Sequence, residues 1–235
     1  MSKSLRRILP SAFAAFVGWG VLSVPVLLLG ADRVAVGTKV REAVERRVEG
    51  TDTFSALSPP SILFDGDHIR TGPGAFLVMV YLDDKSMLKV KENSDLEIRG
   101  TREGEGISKK VDMTAGTLKA EVSRQRKGDF VISTPTSVAS VKGTTFWIIS
   151  NPVTGDQLFG LEGAVELMNL ISGNIVTVGA GETGLSSPDG SVAVSVTVSD
   201  DVPEDEEETG EEIKELRIRF KNPDGEERDL IINYD

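Results

Sequence analysis

Cysteine is absent from all 235 residues, so disulfides, thiolate metal sites and cysteine nucleophiles are excluded. Histidine occurs once, as His68, which rules out a histidine zinc site. A catalytic triad would have to recruit that one ring, yet no nucleophile motif stands near it. Positive charge is in deficit: 26 Lys and Arg face 37 Asp and Glu, for a formal net charge of −11. Nine of those acidic residues lie between Asp200 and Glu212, where no basic residue occurs, and the rest of the chain is close to −2. That balance argues against a nucleic-acid partner, which needs a net positive face. Hydrophobic residues make up only 39%, low for a helix-rich protein, while 24 glycines and 10 prolines suit a chain with many turns.

Long apolar runs are rare too, and one dominates. Lys3, Arg6 and Arg7 precede an uncharged stretch from Ile8 to Gly30, and Asp32 follows it. As a helix this stretch would be ~35 Å long, enough to cross a ~30 Å hydrocarbon core. The flanking charges predict a cytoplasmic amino terminus and an exported remainder. Residues 1–31 therefore read as a signal peptide or a membrane anchor, with membrane contact through residues 8–30 if the segment is retained. Cleavage after Ala31 would put Leu29 where a small residue is favoured, so both outcomes stay open. The expected location is the periplasm or cell surface, with anchoring in the inner membrane if the segment stays.

From Val34 onward the pattern is that of strands. Ala75 to Leu82 is an apolar run of strand length between Gly72-Pro73-Gly74 and Asp83-Asp84, and reads as a strand covered on both faces. Leu96 and Ile98 alternate with Asp95, Glu97 and Arg99, and Leu118, Ala120 and Val122 alternate with Lys119 and Glu121, as in half-exposed strands. Arg41 to Arg47 reads as an early strand. Turn signals recur about every ten residues, but Gly116, Gly143, Gly163 and Gly173 are unevenly spaced and support no fixed repeat. The expected fold is all-β: an elongated solenoid-like or sandwich-like domain of many short strands over residues 32–199, after one N-terminal apolar helix. Residues 200–213 read as an acidic linker that cannot bury apolar area. Residues 214–235 read as a C-terminal β-hairpin turning at Asn222-Pro223-Asp224-Gly225.

Several stretches, in order, resemble the FecR domain family. Phe64 to Gly72, with Gly66, Asp67, Thr71 and Gly72, is similar to its "GD-x-I-x-TG" opening. Asp83, Asp84 and Ser86 resemble its "DGS" turn, with Asp84-Lys85 where the glycine is absent, and Asn93-Ser94 resembles its "NS" turn. Gly116-Thr117-Leu118 looks like its "G-x-L" strand start. Thr134-Pro135 followed by Val138 to Phe146, with Lys142, Gly143, Thr144 and Phe146, is similar to "TP…A-x-V-[RK]-GT-x-F". Glu162, Gly163 and Val165 match "EG-x-V", and Gly181 and Glu182 match "AGE". The resemblance spans about residues 34–186 and implies the extracytoplasmic β-domain alone. No stretch resembles the helical anti-sigma region or the secretin/TonB short domain of the family's membrane-spanning regulators. In stand-alone form, such a domain has no single agreed activity.

These motif residues read as structural. Glycines 66, 72, 143, 163 and 181 sit where strands turn or approach closely. Asp67, Thr71 and Thr144 are placed to hydrogen-bond turn amides. Phe146, Trp147 and Ile148 are expected in the core. A ligand-binding loop around Lys142-Gly143-Thr144 is the alternative, though no helix follows to make it a phosphate loop. His68 reads as a surface side chain. Arg124, Arg126 and Lys127 form a basic cluster at a loop tip, a possible interaction point for anionic lipid or a polymer. The acidic run lacks the spacing of a calcium loop and reads as a repelling spacer. No carboxylate pair stands out as a glycosidase site, and no cofactor motif is present. The resulting expectation is a non-catalytic interaction module, with another envelope protein as partner and a regulatory, signalling or assembly role. The alternative is a structural protein holding cell-wall or surface polysaccharide.

Overall fold

The computed structural model describes residues 32–103, 106–124, 129–205, 214–221 and 226–234. The N-terminal apolar segment, with the helix and membrane contact expected of residues 8–30, lies outside them. No helix among the described residues is long and apolar enough to cross a membrane.

Two sheets, called front and back here, share one strand. The chain runs through β1 (Arg33–Arg41) in front, β2 (Val44–Arg47) and β3 (Ser55–Ala56) at the back, then β4 (Ser61–Phe64) in front. It continues with β5 (Asp67–Thr71) at the back, the hairpin β6 (Phe76–Tyr81) and β7 (Met87–Val90) in front, and β8 (Asp95–Glu103) at the back. The 16-residue β9 (Gly106–Glu121) begins in the back sheet beside β8 and ends in the front sheet beside β7.

From there the winding is regular. A back hairpin, β10 (Phe130–Ser133) and β11 (Ser137–Val141), precedes a front hairpin, β12 (Thr145–Asn151) and β13 (Gly155–Glu162). The back hairpin β14 (Ala164–Asn169) and β15 (Ile175–Gly179) follows, then the front hairpin β16 (Glu182–Ser186) and β17 (Val192–Val196). The front order is β4-β1-β6-β7-β9-β12-β13-β16-β17. The back order is β3-β2-β5-β8-β9-β10-β11-β14-β15. Among the described residues only β9–β10 is a parallel pair.

Alternation explains why the sheets face each other. Leu77, Leu118, Ile148 and Leu158 from the front and Ile69, Leu96, Ile132 and Val165 from the back join one continuous buried cluster. The all-β expectation holds. The crossing of β9 depends on Gly116, whose φ is +122° and whose added Cβ would lie 2.5 Å from Ser94 Cα. Only glycine fits that bend.

Residues beyond β17 return over the outer face of the front sheet through a single 3-10 turn, Ser199–Asp201. The hairpin β18 (Lys214–Lys221) and β19 (Glu227–Tyr234) then sets Leu230 and Ile232 against Val36 of β1.

Candidate interaction faces

The winding sorts the motif residues by edge. From β10 onward, hairpin turns fall on one edge of the two-sheet stack and sheet-to-sheet corners on the other. Along the corner edge successive crossovers stack. Val122 N–H donates to Thr144 O at 2.9 Å, Gly181 N–H to Gly160 O at 2.9 Å, and Thr197 N–H to Gly181 O at 2.9 Å. Lys142, Gly143, Thr144, Glu162, Gly163, Gly181 and Glu182 all belong to this column, with Lys142 and Glu162 exposed. Gly163 (φ +74°) is packed so closely that a Cβ would meet Thr144 Cγ2 at 2.8 Å and Gly143 O at 3.0 Å. Glu182 Oε2 accepts from Gly179 N–H at 2.7 Å, closing its turn. Phe146 and Val165 point into the core.

Gly66, Asp67, Thr71 and Gly72 sit well away from that column, around β5. Asp67 Oδ2 accepts from Phe64 N–H at 2.9 Å and lies 3.5 Å from Arg46 Nη1. Burial raises the Asp67 pKa, and the Phe64 amide and Arg46 offset this only in part. Thr71 Oγ1 donates to Lys91 O at 2.6 Å and accepts from Ser94 N–H at 2.9 Å, pinning the β7–β8 turn.

Four readings need correction. Gly72 does not take a left-handed φ, so its conformation is open to other residues. Thr144 Oγ1 is buried without a hydrogen-bond partner among the described residues, so it closes no turn through its hydroxyl. Trp147 is buried on the outer side of the front sheet, not in the core cluster that holds Phe146 and Ile148. His68 is half-buried and clamped: Arg47 Nη2 donates to Nδ1 at 2.9 Å, and Nε2 lies 2.6 Å from Asp95 Oδ1. Because guanidinium only donates, Nδ1 must accept and Nε2 carries the proton. Burial works against the Asp95 charge, but hydrogen bonds from Arg70 and His68 outweigh it and hold its pKa low. Of the basic cluster, Arg124 is exposed beside the Gly143 corner, and Arg126 and Lys127 lie outside the described residues.

The two outer faces differ in kind. The back sheet presents a solvated ion-pair network in which Arg99 meets Glu97, Glu49 and Asp112. On the front sheet, Lys89 and Lys119 are direct cross-strand neighbours, 14% and 12% exposed. Asp205 Oδ2 lies 2.9 Å from Lys89 Nζ and 2.6 Å from Lys119 Nζ, and Glu121 Oε1 lies 3.0 Å from Lys119 Nζ. Those lysine hydrogen bonds outweigh desolvation and hold the Asp205 pKa low; bonds to Asp205 and Glu121 likewise outweigh burial and raise that of Lys119. Sequence reading missed this clasp, because Asp205 sits 116 and 86 residues from its partners.

Two buried polar sites were also missed. Thr134 and Ser137 hydroxyls donate to Asp156 Oδ2 at the turn edge, and Lys109 Nζ reaches Asp83 Oδ2 at 2.8 Å and Asp84 Oδ2 at 2.9 Å. No group of three or more His, Asp or Glu is placed to hold a metal among the described residues.

The fold and its corners define an all-β domain wound from alternating hairpins. Residues 67–166 match the family model described as FecR protein. Two crystal structures of a candidate anti-sigma factor from Parabacteroides distasonis are similar to it at 15% and 17% identity, with TM-scores of 0.47 and 0.45. Each similarity covers 55% of this chain and 59% of that one. No curated protein matches the chain.

Proposed function

We propose that the protein is a non-catalytic interaction module working outside the cytoplasm, with a regulatory or signalling role or a part in envelope assembly. The FecR match over residues 67–166 carries this reading. The basic residues before the apolar run at 8–30 and the acidic residue after it support export. The motif residues support it as well, since their contacts brace corners and turns and leave the outer faces for recognition. The natural partner is another envelope protein.

A photo-crosslinking residue at Gln157, exposed on the outer face of the front-sheet strand β13, tests this in whole cells. One defined protein captured at fixed ratio is the expected result. Capture of cell-wall or surface polysaccharide alone would replace the reading with a structural role. A reporter fused to the carboxyl end and active only in the cytosol would overturn export.

A further inference from the structure

The outer face of the front sheet carries a row of side chains, one per strand. Thr183, Phe159, Trp147, Lys119 and Lys89 follow one another as direct cross-strand neighbours on β16, β13, β12, β9 and β7. Trp147 and Phe159 face away from the core cluster, yet each is only 1% exposed. Lys91 Nζ lies 5.8 Å from the Trp147 ring centroid, and the chain's own continuation is tied down on either side of the two rings. At one end Thr197 and Thr183 hydroxyls meet at 2.8 Å, and at the other Asp205 closes on Lys119 and Lys89. Spanning from Thr183 to the lysines crosses three to four strand spacings, roughly 14–20 Å. Residues 198–205, with their single 3-10 turn, are long enough for this span, and the direct line between the two anchors passes over Phe159 and Trp147.

How this segment is held matters. Among the described residues, no main-chain hydrogen bond joins positions 198–205 to a strand; the main-chain bonds there are local, Asp201 N–H to Val198 O and Val202 N–H to Ser199 O. Val202 and Pro203 are half-buried, and Asp200 and Asp201 are exposed. The remaining grip comes from lysine side chains, including Lys91 Nζ donating to Glu204 O at 3.0 Å. Two ammonium groups placed directly opposite each other repel, so Lys89 and Lys119 favour a carboxylate whichever chain supplies it. We infer that this tryptophan–lysine face is a docking site for an extended acidic segment of a partner protein, and that residues 198–205 occupy it in cis until displaced. The resident segment defines the ligand chemistry: an apolar–proline step followed by adjacent carboxylates. This deepens the interaction-module reading and rests on it.

The full chain, purified in detergent, is titrated against a fluorescein-labelled peptide of residues 198–205, VSDDVPED, followed by fluorescence polarisation. The wild type, its site filled, binds weakly. Asp205→Lys, which repels the resident segment, binds at least tenfold tighter, and adding Lys119→Glu removes the gain. A peptide with Asn and Gln in place of its acids does not bind. If Asp205→Lys loses its β circular dichroism, the double change Val202→Ser with Pro203→Gly opens the site through its apolar half instead. Opened variants that bind no tighter than wild type, or bind the neutral peptide equally, overturn the inference. So does conversion of the opened variants to dimers in light scattering, which would assign the segment to exchange between copies. Peptide capture without a cellular crosslink would sink the interaction-module reading, whereas a crosslink without peptide capture would sink this inference alone.

Discussion

Lys85 occupies the turn position where the resembling family carries glycine, and it holds a left-handed φ of +61°. Asp84 Oδ1 accepts from Ser86 N–H at 2.9 Å and keeps the turn in that shape whatever residue stands at 85. A side chain in this region costs about 1–2 kcal/mol, partly offset by the extra freedom glycine has when unfolded. Lys85→Gly is therefore expected to stabilise the protein by about 0.5–1 kcal/mol, read from the urea midpoint at unchanged slope. Lys109 makes the opposite case. Its ammonium is buried against Asp83 and Asp84, with Tyr81 beneath it at 5.4 Å. Burial first, then the same two carboxylates, push the Tyr81 pKa upward, so the phenol stays protonated. Lys109→Ala strands two poorly solvated acids and should cost about 3 kcal/mol in the same measurement. Neither residue advertised itself: Lys109 reads as an ordinary charged strand position until the Asp83-Asp84 turn folds onto it.

At the scale of elements, strands whose two faces differ were legible and covered faces were not. β8 and the second half of β9 follow their alternation, and the Arg41–Arg47 stretch is indeed extended, broken by Glu42 at φ +56° into β1 and β2. Alternation reports which side chains point together, but it is silent on what later lies over them. Lys89 and Lys119 illustrate this, since their partner Asp205 arrives from far along the chain. The acidic stretch was legible as charge alone, and its start is fastened rather than repelled. Asp205→Asn is expected to cost about 1 kcal/mol at pH 7, a value reduced because Asp205 is 37% exposed. The sign with pH follows from its lowered pKa. The contribution is complete above the unfolded carboxylate value of about 3.9 and is lost as pH falls through the lower folded value. Urea midpoints of variant and wild type should thus differ equally from pH 5 to 8 and converge below pH ~4. An undiminished gap in acid would remove the ion pair as its cause.

On the whole-molecule scale, the span recognised as FecR and the span that folds are different things. The match begins at β5 and ends within β14. Cutting there removes β1, which pairs with β6 over six residues, and β2, which pairs with β5 over four. It also takes Val34, Ala35, Val44, Leu57 and Leu63 from one end of the shared core and Leu167 and Val178 from the other. Fully burying a Val or Leu side chain is worth about 1.5–3 kcal/mol, so these losses together approach the 5–15 kcal/mol that typically separates folded from unfolded domains. The excised strands would also leave β5 and β6 as open apolar edges prone to pair with other chains. A fragment of residues 67–166 is therefore expected to show no cooperative thermal transition and to aggregate, whereas residues 32–205 should unfold in one step followed alike by near-ultraviolet circular dichroism and Trp147 fluorescence. Two separated transitions in the longer fragment would mean that β9, despite belonging to both sheets, does not couple them.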